Sequence, residues 1–68
     1  MIIDNEKIET LLKRRNMSKS KLAVEMEKAT MTIIRKLKGR HDWSFNEVWK
    51  LTQILDVEMN DLLKKEEA

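Results

Sequence analysis

Apolar residues recur along this chain at three- and four-residue spacing rather than in alternation. Ile8, Leu11 and Leu12 form a first stripe, Leu22, Ala23 and Met26 a second, and Ile33, Ile34 and Leu37 a third. The clearest series, Phe45, Val48, Leu51, Ile54 and Leu55, keeps the i, i+3, i+4 spacing of a single helix face. Met59, Leu62 and Leu63 close the pattern with one last short helix. Between the stripes stand residues that start and stop helices. Asp4 or Asn5, Ser18 and Ser44 have oxygens suited to capping N-termini, and Ser44 with Glu47 spells a capping box. Ala29 or Thr30 opens the third helix. Asn16 and Gly39 tolerate the left-handed backbone at which helices commonly stop. The pattern predicts five helices joined by links of two to six residues. No alternation bounded by turn residues persists, so no strand is expected. Glu27, Lys28 and Ala29 leave about three residues between the second and third helices. That is too short for an antiparallel hairpin with long arms, and it predicts the sharp crossing of a helix-turn-helix.

Composition narrows this reading. Sixty-eight residues with no proline and one glycine fit a single small all-α domain over 1–68, with 63–68 as a charged tail. There is no cysteine, so neither a disulfide nor a thiolate metal site can brace so small a core. No apolar run approaches the roughly 18 residues that suggest a membrane span, and the acidic, polar start is unlike a signal peptide. A soluble, cytoplasmic protein without membrane contact is expected.

The net charge of +2 conceals a division along the chain. From Thr10 to His41 there are ten Lys and Arg against Glu25 and Glu27, whereas the remaining segments hold four Lys against ten acids. One electropositive surface and an acidic remainder follow. The densest positive stretch is Arg35, Lys36, Lys38 and Arg40, on and just after the third helix, with no acidic neighbour until Asp42. Chemistry of other kinds finds little support. No nucleophile–base pair, glycine-rich phosphate loop or metal-ligand cluster occurs, and His41, the only histidine, has neither ligand partners nor a nucleophile beside it in sequence. Neither an enzyme, a cofactor, a metal nor a small-molecule ligand is expected. Trp43 and Trp49 read as packing residues rather than as a stacking platform for single strands.

Helical geometry then asks which flank of the third helix is buried. With Ile33, Ile34 and Leu37 all inward, Thr32 and Arg35 lie closest to the outward centre and Met31 stands beside them. With only Ile34 and Leu37 inward, Thr32 and Arg35 still face out, while Met31 drops back and Lys36 gains. Sequence leaves both registers open.

The order of stripes and caps resembles the helix-turn-helix domain of phage repressors and Cro-type regulators. "IETLLKRRNMSKSKLA" looks like that family's first helix and the Leu-Ala of its second. "SFNEVWKLTQILDVEMNDLL" is similar to its fourth and fifth helices almost position for position, and the match runs from Ile8 to Leu63. Three positions depart from the family pattern. Lys19 replaces a glutamine, Glu27 replaces the turn glycine, and Lys36 stands where a buried aliphatic often sits.

The resemblance implies a compact five-helix lambda-repressor-like domain whose second and third helices form the helix-turn-helix. It implies sequence-specific binding of double-stranded DNA by a transcriptional repressor or Cro-like regulator, with the third helix in the major groove. Carried over residue by residue, Thr30, Met31, Thr32 and Arg35 match base-reading positions. Lys19, Lys38 and Arg40 match positions that hold the DNA backbone. A homodimer, at least on DNA, is expected because one small module contacts few bases, with Met59 and Leu63 as dimer contacts and Val57 a third. A chain this short leaves no room for a separate dimerisation or ligand domain. The alternative is a protein-binding adaptor or anti-repressor that keeps the fold without reading DNA; Lys19 and Glu27 favour it and the positive band opposes it.

Overall fold

The structure is a computed structural model, and it describes residues 2–64. Helix α1 spans Asn5–Arg14, α2 Lys19–Met26, α3 Thr30–Leu37, α4 Phe45–Leu55 and α5 Met59–Leu62. The starts of α1, α2 and α4 have a local cause, whereas Ala29 opens α3 with no side-chain cap. The Asp4 carboxylate accepts from the Lys7 N–H at 3.1 Å, and Glu6 places a negative charge in the first turn of α1. The Ser18 hydroxyl accepts from the Lys21 N–H to begin α2. At α4 both halves of the capping box form: Ser44 Oγ accepts from the Glu47 N–H, and Glu47 Oε1 accepts from the Ser44 N–H at 2.8 Å. Gly39 (φ +80°) follows α3 and Asn16 (φ +52°) follows α1, as their residue types predict. Glu27 ends α2 in the same left-handed region at φ +57°, taking the conformation of the glycine it replaces.

All five helices contribute to one core. Ile8, Leu22, Met26, Ile33, Val48, Leu51, Leu55 and Leu62 are fully buried. Each such side chain contributes roughly 1.5–3 kcal/mol relative to exposure. Ala23 is also buried, and α2 packs against α3 across the turn at Glu27.

One aromatic position corrects the expectation from spacing. Phe45, assigned by periodicity to the inner face of α4, is 62% exposed. Trp43, on the preceding link, is buried, in keeping with its expected packing role, and its indole N–H donates to Asn5 Oδ1 at 2.8 Å. The first residue of a helix sits where the chain is still arriving, so its angular position on the wheel does not fix its contacts.

A second feature went unexpected. Asp4 N–H donates to the Leu62 carbonyl and Lys64 N–H to the Ile2 carbonyl, each at 2.9 Å, making an antiparallel bridge between Ile3 and Leu63. Two residues on each side are too few to leave an alternating pattern. Leu63 and Lys64, the first two tail residues, are thereby tied to the start of the chain; positions 65–68 lie outside the described residues. Among the described residues, no helix is long and apolar enough to cross a membrane.

Candidate nucleic-acid interface

The register of α3 is visible in its burial. Ile33 and Leu37 are buried, and Ile34, on the flank, is only half-buried. Of the two registers considered, neither holds entirely: Ile33 rather than Ile34 is the inner isoleucine. Lys36 completes the inner side, 14% exposed, at the position where an aliphatic was anticipated. Taking Ile33 and Leu37 as the inner stripe, Met31, Arg35 and Lys38 fall opposite, and all three are exposed. Thr32, expected to face out in either register, is half-buried on the flank toward Lys36, and Thr30, half-buried in the first turn, falls on the Leu37 side of the wheel. Met31 is 55% exposed and does not fold back onto the core.

Of the positions matched to base reading, Thr30, Met31, Thr32 and Arg35 therefore share one short helix, with Met31 and Arg35 projecting furthest. Lys38 caps the C-terminus of α3 and Arg40 follows Gly39, its N–H donating to the Arg35 carbonyl at 3.0 Å. Among the described residues no carboxylate lies within ion-pair distance of Arg35, Lys38 or Arg40. Lys19 differs. Its ammonium pairs with Glu9 at 2.9 Å, with both side chains about two-fifths exposed, so α1 holds it at the start of α2. Such an exposed pair is weak.

Behind the exposed flank sits a polar cluster. Lys36 Nζ donates to Glu47 Oε1 at 2.5 Å and to the Asp42 carbonyl at 3.1 Å, and lies 5.6 Å from the Trp43 ring centroid. Lys28, in the turn between α2 and α3, approaches Glu47 Oε2 at 3.9 Å. Burial pushes the Glu47 carboxyl up. The hydrogen bonds from Lys36 and Ser44, with the positive charge of Lys36, outweigh that and hold it below the usual glutamate value. One carboxylate thus joins α3, the α3–α4 link and the start of α4. The link runs along the Thr32–Lys36 flank, and Thr32, Arg35, Lys36, His41 and Asp42 together line a cleft of about 430 Å³.

The residues marked for dimer contact are less available than the base-reading set. Val57 and Met59 are half-buried and pack against the core, and Leu63 is half-buried beside its bridge to Ile3.

The family model of the Cro/C1-type HTH DNA-binding domain matches residues 7–67. The chain belongs to that family. No curated protein and no solved structure matches it. Membership accords with the packing of α2 on α3, the short turn at Glu27 and the capped α4 described above. As a Cro/C1-type domain the chain falls in a DNA-binding, non-enzymatic family. Sequence reasoning placed Glu47 in the capping box and Trp43 among packing residues, but missed the Lys36–Glu47 pair and the Trp43–Asn5 bond. An acid eleven residues beyond a lysine at an aliphatic position was the available signal for the pair; nothing local announced the Trp43–Asn5 bond.

Proposed function

We propose that the protein is a transcriptional regulator, a repressor or Cro-like switch, that reads duplex DNA with α3 in the major groove. The observation that carries this reading is the division of α3: Ile33 and Leu37 are sealed in the core while Arg35 projects, exposed and without a carboxylate partner among the described residues. An α-helix with its side chains is about 10–12 Å across, a size that a major groove about 12 Å wide admits. Arg35 supplies the fork geometry that bonds guanine O6 and N7 together. Met31 offers an apolar surface for a thymine methyl, and Thr30 and Thr32 offer hydroxyls to base edges or sugar-phosphate. Lys19, Lys38 and Arg40 hold phosphates on either side and set the register.

Because so few side chains reach the bases, the operator is read as two half-sites by a two-fold pair. The edges of Val57, Met59 and Leu63 are the contact we assign between subunits, formed on DNA. Three backbone cations per subunit make six per operator, for which log K against log salt falls with a slope of roughly −5.

Selection from a randomised duplex pool, followed by salt titration on the selected sequence, tests the reading. A two-fold motif with a steep salt slope supports it. Weak, salt-insensitive binding to every duplex sinks it and favours the adaptor alternative.

A further inference from the structure

The α3–α4 link offers the DNA face something that a phosphate clamp does not need: an acid. Asp42 and His41 line the same cleft as Thr32 and Arg35, on the flank of α3 adjoining its most exposed residues. The link is held there by several bonds. The Asp42 carbonyl accepts from Lys36 Nζ at 3.1 Å, Lys36 is anchored in turn on Glu47, and the next residue, Trp43, is buried and bonded to Asn5. From the other end, the Gly39 and Arg40 N–H groups donate to the carbonyls of Lys36 and Arg35 at 3.0 Å. The Asp42 side chain has no cation within ion-pair distance among the described residues. It is exposed beside a bare guanidinium, on a surface that otherwise attracts phosphate.

A carboxylate so placed repels the DNA backbone and weakens binding to duplex in general. It is favourable only where a base presents an amino group to it. In the major groove, cytosine N4 and adenine N6 are such donors, but adenine sets its acceptor N7 beside the amino group, and guanine presents only acceptors, O6 and N7. Arg35 has the reverse preference. The cleft therefore carries a donor wall and an acceptor wall side by side on a rigid frame.

We propose that Asp42 is a specificity-determining residue, accepting from the N4 amino group of a cytosine in the base pair next to the one whose guanine Arg35 takes. This rests on the proposed reading of α3 in the major groove. Discrimination comes as much from rejection as from attraction: guanine at that position sets its oxygen and ring nitrogen against the carboxylate.

The test compares the full chain with Asp42→Ala and Arg35→Ala by selection from a randomised duplex pool and by affinity for a motif-free duplex. Asp42→Ala keeps the main-chain bond to Lys36, so its fold is expected to be unaltered. Arg35→Ala is expected to flatten a guanine preference. Asp42→Ala is expected to flatten a cytosine preference one base pair away, by roughly tenfold, and to leave that guanine in place. The same variant should bind motif-free duplex about two- to fivefold more tightly, because one repulsive charge is gone. A merely structural role for Asp42 predicts weaker binding everywhere with an unchanged motif, and that outcome overturns the proposal while leaving the α3 reading intact. A parent protein that selects no motif overturns both.

Discussion

Replacing Lys36 with methionine isolates the contribution of the Lys36–Glu47 pair. Methionine fills similar volume and keeps the helix, so the change removes chiefly the charge. What remains is a carboxylate whose side chain is 8% exposed, bonded to the Ser44 N–H and reached by Lys28 only at 3.9 Å. Removing one partner of a buried pair typically destabilises by about 3–5 kcal/mol. Lys36 retains some solvent and Lys28 supplies partial compensation, which brings the expected loss to about 2–3 kcal/mol. At about 4–8 °C per kcal/mol for a domain this small, the melting temperature falls by roughly 10–20 °C.

Circular-dichroism melts at neutral pH measure this directly, and a second variant checks the cause. Adding Glu47→Gln removes the orphaned charge while keeping an oxygen for the capping box, so the double variant should recover much of the loss. Acid supplies a further check. The Glu47 carboxyl is held below its ordinary value of 4.5, so its contribution is complete above that value and is lost as pH falls through the lower, folded-state value. The gap between parent and Lys36→Met should therefore narrow in acid. A single variant melting within about 3 °C of the parent at neutral pH would refute the reasoning, since it corresponds to less than ~1 kcal/mol.

Other expectations follow from particular contacts. Glu27→Gly should stabilise the fold by about 0.5–1 kcal/mol in denaturant titration, because relief of left-handed strain exceeds the entropy gained by the unfolded chain. Its ion pair with Lys50, at 3.8 Å on a side chain 85% exposed, offers little to lose; a destabilised variant would show that the turn is unstrained. Asn5→Ala strips the buried Trp43 indole of its acceptor and should destabilise by about 1–2 kcal/mol, with a changed near-ultraviolet dichroism signal. An unchanged spectrum and midpoint would mean that water replaces the amide without loss.

Much of the fold was legible because its causes are local. The caps at Asp4, Ser18 and Ser44 involve residues three positions apart, and the stripes of α1, α2 and α4 repeat within one turn. What sequence did not reveal depends on partners far along the chain. The Trp43–Asn5 bond spans 38 positions, and the pairing of Ile2–Asp4 with Leu62–Lys64 joins the two ends. Register on α3 was undecided for a related reason. Lys36 reads as an exposed residue until Glu47 is known to lie beneath it, and only then does its place on the inner flank make sense.

That placement bears on DNA reading as well as stability. A helix anchored by Ile33 and Leu37 alone meets its domain through two greasy contacts, which tolerate sliding and small rotations. Each residue occupies about 100° of the helix, so a modest rotation would carry Arg35 away from the base we propose it reads. Lys36 adjoins Arg35, and its ammonium is directed at once to a carboxylate and a carbonyl on the following segment. Directional bonds resist rotation where apolar contacts do not. The lysine at an aliphatic position thus replaces a non-directional contact by an oriented one, immediately beside the side chain whose aim matters most. If so, Lys36→Met should broaden base preference at the Arg35 position more than it lowers affinity for motif-free duplex, a split that loss of folded protein alone cannot produce.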